Sequence, residues 1–252
     1  MKRLYLCNVL ILFTWMFVIG SSQFTTGSVE LDEVIKVDFG DWEQMVETHS
    51  SVYVREIKRL NPYYERGTNE SITNSPQQII LSLFAIKKRK GVIVELGAWT
   101  GGGALLMAPH LEHDKSYHAV DTFNAHKMPD MYIKEWLKGR DHLDVFNENI
   151  TPIKNKVVIH QGFTNDIAAT WPQDKKIDLL FIDADHSYKG VSSDWINWSP
   201  FVRKGGIIAF HDYYVHSKGG HPGVQKFIDE SIVDIETKNL YFIEGLAWYV
   251  VE

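Results

Sequence analysis

The sequence predicts an α/β protein built on a doubly wound, mostly parallel sheet. Three observations carry that prediction. Short apolar runs alternate with helical patterns from residue 92 to residue 232. A glycine-rich turn follows the first run, and four of five runs end in an acidic residue or a His-Asp pair. In open α/β sheets that carboxyl edge is where ligands bind.

The elements follow in order. Helical stretches at 40–47, 52–60 and 77–87 precede the sheet and are expected to lie over its ligand cleft. The first strand, 92–94, is bounded by Gly91 and Gly97, reads as buried on both faces, and has Glu95 at its carboxyl end. A turn from Gly97 to Gly101 then opens into a helical pattern at 104–108. The second strand, 117–120, ends at Asp121; the third, 156–160, ends at Gln161-Gly162; the fourth, 177–182, ends at Asp183; the fifth, 206–210, ends at His211-Asp212. Helices are expected at 129–138, 191–198 and 224–232, and strands at 233–236 and 246–251 are expected to pair as a hairpin on the sheet edge.

Composition bounds the function. The chain has 252 residues, 44% hydrophobic and 23% charged, which suits one large globular domain. A net charge of −6 without a basic block excludes the electrostatic footprint of a nucleic-acid binder. The single cysteine, Cys7, lies in an N-terminal apolar segment, so the folded body is expected to have no disulfide and no thiol nucleophile. In that segment Lys2 and Arg3 precede an apolar run at 4–20, and Gly20, Ser21 and Ser22 follow. This pattern resembles a signal peptide or short anchor, near the lower end of the ~17–25 residues that span a bilayer. An apolar helix packed on the domain is the alternative. Sequons at Asn69, Asn149 and Asn197 are compatible with a secretory route, so membrane association through residues 4–20 is expected. The expected division is a targeting segment at 1–22, a helical lead-in or cap at 23–90, and a ligand-binding domain at 91–252.

The turn narrows the ligand. It reads acidic-x-Gly-x-x-x-Gly, with Trp99 and Thr100 filling the space a dinucleotide G-x-G-x-x-G would leave bare, and no Lys-Ser or Lys-Thr follows to make a P-loop. Asp121 stands where a carboxylate can accept hydrogen bonds from both ribose hydroxyls, with a turn-forming Asp ahead of Thr122 as the alternative, and Phe123 is placed either to stack on an adenine or to pack in the core. Asp183 and His211-Asp212 would meet at neighbouring strand ends. Carboxylate oxygens plus one imidazole suit a hard or borderline divalent ion.

The set Glu95-Leu-Gly-Ala-Trp-Thr-Gly101, Asp121, Phe181-Ile-Asp-Ala-Asp-His-Ser-Tyr188 and Phe210-His-Asp-Tyr213 resembles class I S-adenosylmethionine-dependent methyltransferases. Within them it is most similar to the group of macrocin-type and rhamnosyl O-methyltransferases. The resemblance implies a seven-stranded sheet with an antiparallel last strand. It implies that Glu95, Gly97 and Gly101 cradle the methionine part of the cofactor, that Asp121 binds the ribose, and that Gly162 and Thr164 lie by the adenine. It further implies that Asp183, His211 and Asp212 hold a divalent ion such as Mg2+, and that His186, three residues after Asp183, is a general base. Phe163 departs from the Gly-Asp-Ser common in relatives, and His211 stands where relatives often have an acidic residue.

The chemistry implied is methyl transfer to a hydroxyl of a sugar or other small molecule. A coordinating metal lowers the hydroxyl's pKa, and His186 or Asp183 takes the proton. Positioning two substrates supplies up to ~7–11 kcal/mol of barrier reduction; general-base action adds roughly 10²–10⁴-fold. The alternatives are an NAD(P)-dependent oxidoreductase on a similar sheet, a metal-dependent hydrolase using the Asp-His cluster on water, and a non-catalytic relative that binds the adenosyl ligand.

Overall fold

In the computed structural model the first apolar run forms β1 (Ile93–Leu96), buried along its whole length. The structure describes residues 54–55, 57–71, 73, 75–125, 131–214, 221–232 and 240–252. Four strands run parallel with β1: β2 (Tyr117–Asp121), β3 (Val157–Gln161), β4 (Ile177–Ile182) and β5 (Val202–Tyr213). At the far edge β6 (Tyr241–Ile243) and β7 (Gly245–Val250) form a hairpin, with β7 antiparallel to β5. The order across the sheet is β3-β2-β1-β4-β5-β7-β6.

Alternation along the strands divides the core in two. Ile93, Leu179, Phe181, Ile207 and Ala209 face a cluster shared with α1 (Tyr64–Glu70), α2 (Ser75–Lys87) and α3 (Gly102–Met107). Val94, Leu96, Leu180, Ile182, Ile208 and Phe210 face a second cluster. That cluster is shared with α6 (Thr164–Thr170), α7 (Tyr188–Trp198) and α8 (Pro222–Phe227). Two further helices, α4 (Met131–Leu137) and α5 (His142–Asn149), lie between β2 and β3 in the chain. Helices on both faces of a largely parallel sheet are the doubly wound arrangement the sequence predicts. Strand-to-helix-to-strand crossovers enforce it, because a parallel neighbour can be reached only by passing over one face.

The boundaries shift in informative places. β5 is longer than its apolar stretch, because Arg203 and Lys204 continue the strand while staying exposed. The edge hairpin uses Tyr241–Ile243 as its first arm; the arm expected at 233–236 lies outside the described residues. So do the expected helix at 40–47 and the apolar segment at 1–22. Among the described residues no helix is long and apolar enough to cross a membrane. The lead-in contributes α1 and α2 to the same core as the sheet. Asn149, one of the three sequon asparagines, is buried, and its amide donates to Glu70 Oε2 and to the Thr100 carbonyl, both at 2.9 Å.

Trp248 ties α2 to the antiparallel edge. It is fully buried, meets Phe84 edge-on at 5.4 Å between ring centroids and stacks on Tyr241 at 5.9 Å. Truncating such a side chain leaves a cavity as well as losing its transfer energy. Trp248→Ala is expected to cost about 3–5 kcal/mol in denaturant unfolding; a loss under about 1 kcal/mol would contradict the packing described.

Candidate active site

The strand order reverses between β1 and β4, which opens a crevice at their carboxyl ends. Gly97 closes the floor of that crevice. Its φ is +87°, and a Cβ there would lie 2.1 Å from the Asp183 carbonyl oxygen. The Asp183 amide donates to the Leu96 carbonyl at 2.8 Å. Only a residue without a side chain lets the two strand ends come this close, so Gly97 places Asp183 at the crevice.

One strand further on, β5 brings two consecutive residues to the same spot. Register with β7 shifts between His211 and Tyr213, and Asp212 between them has a φ of +64°. A bulge of this kind re-aims side chains that regular pleating would send to opposite faces. His211 Nδ1 lies 3.0 Å from Asp183 Oδ1 and 3.3 Å from Asp212 Oδ2. Nδ1 is buried without an aligned hydrogen bond among the described residues. One ligand atom from each of Asp183, His211 and Asp212 falls within 4.8 Å of the others. An orphaned imidazole nitrogen facing two carboxylates is a donor set that fits a divalent cation.

His186 and His221 complete the cluster. His186 Nε2 is 3.2 Å from Asp183 Oδ1 and 3.3 Å from Asp212 Oδ2. His221, at the start of α8, packs its ring 4.1 Å from that of His186 and reaches within 3.7 Å of Asp212. Burial works against charge on His211, but the two carboxylates outweigh it and push its pKa up to about 10. Burial likewise opposes the charged form of His186; its bond to Asp183 and the Asp183 and Asp212 charges together raise it. Asp183 is raised by burial, yet His211 and His186 overcome this and hold it below the usual carboxylate range.

The residues expected at the cofactor sit differently from one another. Asp121 accepts from the Trp99 amide at 3.0 Å and the Phe123 amide at 2.8 Å, so it orders the turn after β1 as well as its own. Gly162 donates to the Asp121 carbonyl at 2.9 Å. Gly101, with φ +92°, begins α3 and turns its bare face to Ile150 and Phe146. Glu95 points into the core: it is 3% exposed, accepts from Tyr117 Oη at 2.6 Å, and occupies the space a Cβ on Gly103 would need. The Thr164 hydroxyl bonds Asp194 of α7. Phe123 is buried against His142 and Phe146, which decides between its two expected roles in favour of the core.

Sequence reasoning left Gln77 and His221 out of the site. Gln77 lies in α2, 134 positions before His211, yet its Oε1 is 3.2 Å from His211 Nε2. No spacing rule connects residues that far apart. His221 carried a readable signal, being a histidine next to Gly219 and Gly220 in the segment after the fifth strand.

Residues 94–213, just under half of the chain, match the family model of a methyltransferase domain. They are similar to a methyltransferase domain and, with the sheet order above, have the methyltransferase fold. The matched stretch runs from β1 to the last residue of β5, and so contains the crevice, Asp121 and the whole Asp183–His211–Asp212 cluster. A curated relative, the uncharacterised protein R132 of Acanthamoeba polyphaga mimivirus, is 29% identical over 143 residues, covering 57% of this chain and 60% of the relative. The chain thus spans about three-fifths of that relative's length.

Solved structures share the methyltransferase fold. The O-methyltransferase NovP superposes with a TM-score of 0.58 at 18% identity, covering 80% of this chain and 98% of NovP. TomG, an O-methyltransferase of Streptomyces achromogenes solved with SAM, gives 0.54 at 14% identity, covering 86% and 100%. An O-methyltransferase of Bacillus cereus solved with SAH gives 0.51 at 16% identity, covering 84% and 99%.

Glu95 makes the stability of this sheet domain pH-dependent. Burial raises its pKa to about 8, against an opposing pull from the Tyr117 hydrogen bond. A carboxyl raised on folding stabilises fully below its unfolded pKa and loses that contribution as pH rises through the folded one. Between those limits, from the ordinary 4.5 to about 8, the contribution falls with each pH unit. Glu95→Gln keeps the acceptor for Tyr117 and removes the titration. Its unfolding free energy is expected to gain on the parent's as pH is raised from 5 to 8; parallel profiles would contradict a buried, protonated Glu95.

Proposed function

We propose that this protein is an S-adenosylmethionine-dependent O-methyltransferase acting on a hydroxyl of a sugar or other small molecule, with a divalent cation held by Asp183, His211 and Asp212. The observation that carries this reading is the convergence of those three side chains, with His186 against two of them, at the carboxyl edge of a methyltransferase domain. The names of NovP, TomG and the Bacillus cereus enzyme as O-methyltransferases, and the SAM and SAH in the latter two, support the reaction class and the cofactor. The nicotinamide alternative has less support, because Trp99 occupies the turn that a pyrophosphate would need.

Bound S-adenosylmethionine supplies a methyl group on a positively charged sulfur. A divalent cation supplies Lewis acidity that lowers the pKa of a hydroxyl beside it. Asp121 orients the ribose through the carboxylate that already fixes the Trp99 and Phe123 amides. Gly97 draws the ends of β1 and β4 together at the rim where the cofactor would be held. His186 lies with Nε2 against Asp183 and Asp212, and would serve as the base for the hydroxyl proton once a cation held by those carboxylates draws them off that nitrogen. Methyl transfer would form a carbon–oxygen bond as the carbon–sulfur bond breaks, with that bond's electron pair left on sulfur in neutral S-adenosylhomocysteine. Most of the acceleration comes from holding the two reactants in line, up to about 7–11 kcal/mol. His186 adds roughly 10²–10⁴-fold.

Two substitutions separate the halves of the site. Asp183→Ala is expected to abolish formation of S-adenosylhomocysteine from S-adenosylmethionine across a panel of sugars and phenols, while binding S-adenosylhomocysteine nearly as the parent does. Asp121→Ala is expected to raise the cofactor Kd by tenfold or more, the loss of about 1.4 kcal/mol. Normal methylation by both variants would remove the proposal.

A further inference from the structure

We propose that Gln77 is a positioning residue that fixes the tautomer of His211 and thereby leaves the His211 Nδ1 lone pair for the cation that Asp183 and Asp212 would share. The inference rests on reading that cluster as a divalent-cation site, and adds to it a residue from α2, outside the matched methyltransferase domain.

Donor and acceptor capacity along a short buried chain decides the orientation. Gln77 is 1% exposed, and its Nε2 donates to the Glu244 carbonyl at 2.8 Å, in the turn between β6 and β7. A backbone carbonyl can only accept, so the amide nitrogen must face it and the flipped amide is excluded. Gln77 Oε1 then faces His211 Nε2 at 3.2 Å. An amide oxygen also only accepts, so Nε2 must carry a proton. In the neutral ring, the form that ligating a cation requires, this leaves the lone pair on Nδ1, the buried nitrogen 3.0 Å from Asp183 and 3.3 Å from Asp212.

The fold makes room for this chain. A Cβ on Gly245 would lie 2.8 Å from Gln77 Nε2 and 2.4 Å from the Tyr214 ring, so any larger residue there would push the amide out of place. A metal-ligating histidine whose other nitrogen donates to a fixed acceptor has its ring direction and tautomer set in advance, and loss of such a partner costs about 10–100-fold in metal affinity. Gln77 meets that description from a helix that contributes nothing else to the cluster.

The test uses the full chain and Mn2+ as the titrant. Calorimetry on the parent, Gln77→Leu, Gln77→Glu and Asp183→Asn measures Mn2+ affinity, with S-adenosylhomocysteine binding as the check on folding. Gln77→Leu is expected to weaken Mn2+ by about 10–100-fold with the S-adenosylhomocysteine Kd unchanged. Gln77→Glu, which retains an acceptor for Nε2–H, is expected to recover most of that loss. In the Zn2+-loaded parent, 15N shifts of labelled histidine are expected to place the His211 proton on Nε2, a reading that needs no Gln77 variant to fold. An unweakened Gln77→Leu, or a proton on Nδ1, overturns the role of Gln77 and leaves the cation site standing. No Mn2+ binding by the parent overturns the cation site and this inference with it.

Discussion

Regular pleating sends consecutive side chains to opposite faces of a sheet, and the left-handed backbone at Asp212 is where this protein departs from that rule. Without the shift in register between His211 and Tyr213, one of the pair His211-Asp212 would point away from Asp183. With it, both reach the end of β4. A non-glycine residue held at positive φ costs about 1–3 kcal/mol and persists only where its surroundings impose it. Here the antiparallel pairing with β7, which holds His211 and Tyr213 on either side of the shift, supplies that imposition. The hairpin at the sheet edge therefore shapes the site directly: it pins the bulge, and its turn offers the Glu244 carbonyl to Gln77.

Electrostatics separates the two carboxylates buried near the crevice. Asp183 is surrounded by imidazoles and stays ionised, whereas Glu95, two residues before Gly97, faces Tyr117 and apolar neighbours and is held as the acid. Glu95 thus fills and hydrogen-bonds the floor of α3 rather than presenting charge at the rim. A cavity of about 290 Å³ lies elsewhere: Lys115, His118, Trp171 and Lys175 line it, and Lys115 and Lys175 precede β2 and β4 at the amino ends of the strands. Its shape is that of a cleft between α6 and the sheet. The Asp183–His211–Asp212 cluster lies at the opposite ends of the strands.

The sheet was legible because buried parallel strands are continuous apolar runs, and 177–182 and 117–121 stand out from their polar flanks. The acidic residues at strand ends were legible for the same reason, since a run that stops at Asp183 or His211-Asp212 marks the rim. The edge hairpin was harder. Val, Ile and Glu at 233–236 read as well as Tyr241–Ile243 does, and pairing with β7 rather than local propensity defines the observed arm. The direction of Glu95 was hidden because its one-residue motif cannot say which face of β1 it occupies; the bare Gly103 above it is the only trace in the sequence. Gln77 was invisible in principle, as its contact with His211 exists only once α2 has docked on the antiparallel edge.

The claim on which the rest depends is that one rim holds both a sulfonium donor and a cation beside the acceptor oxygen. Crystals grown with S-adenosylhomocysteine and Mn2+ address it most directly, through anomalous scattering at the manganese edge. The expected result is a single strong peak bounded by Asp183, His211 Nδ1 and Asp212, with the ribose hydroxyls on Asp121. Manganese elsewhere, or an adenosyl group away from the ends of β1, β2 and β4, would contradict it.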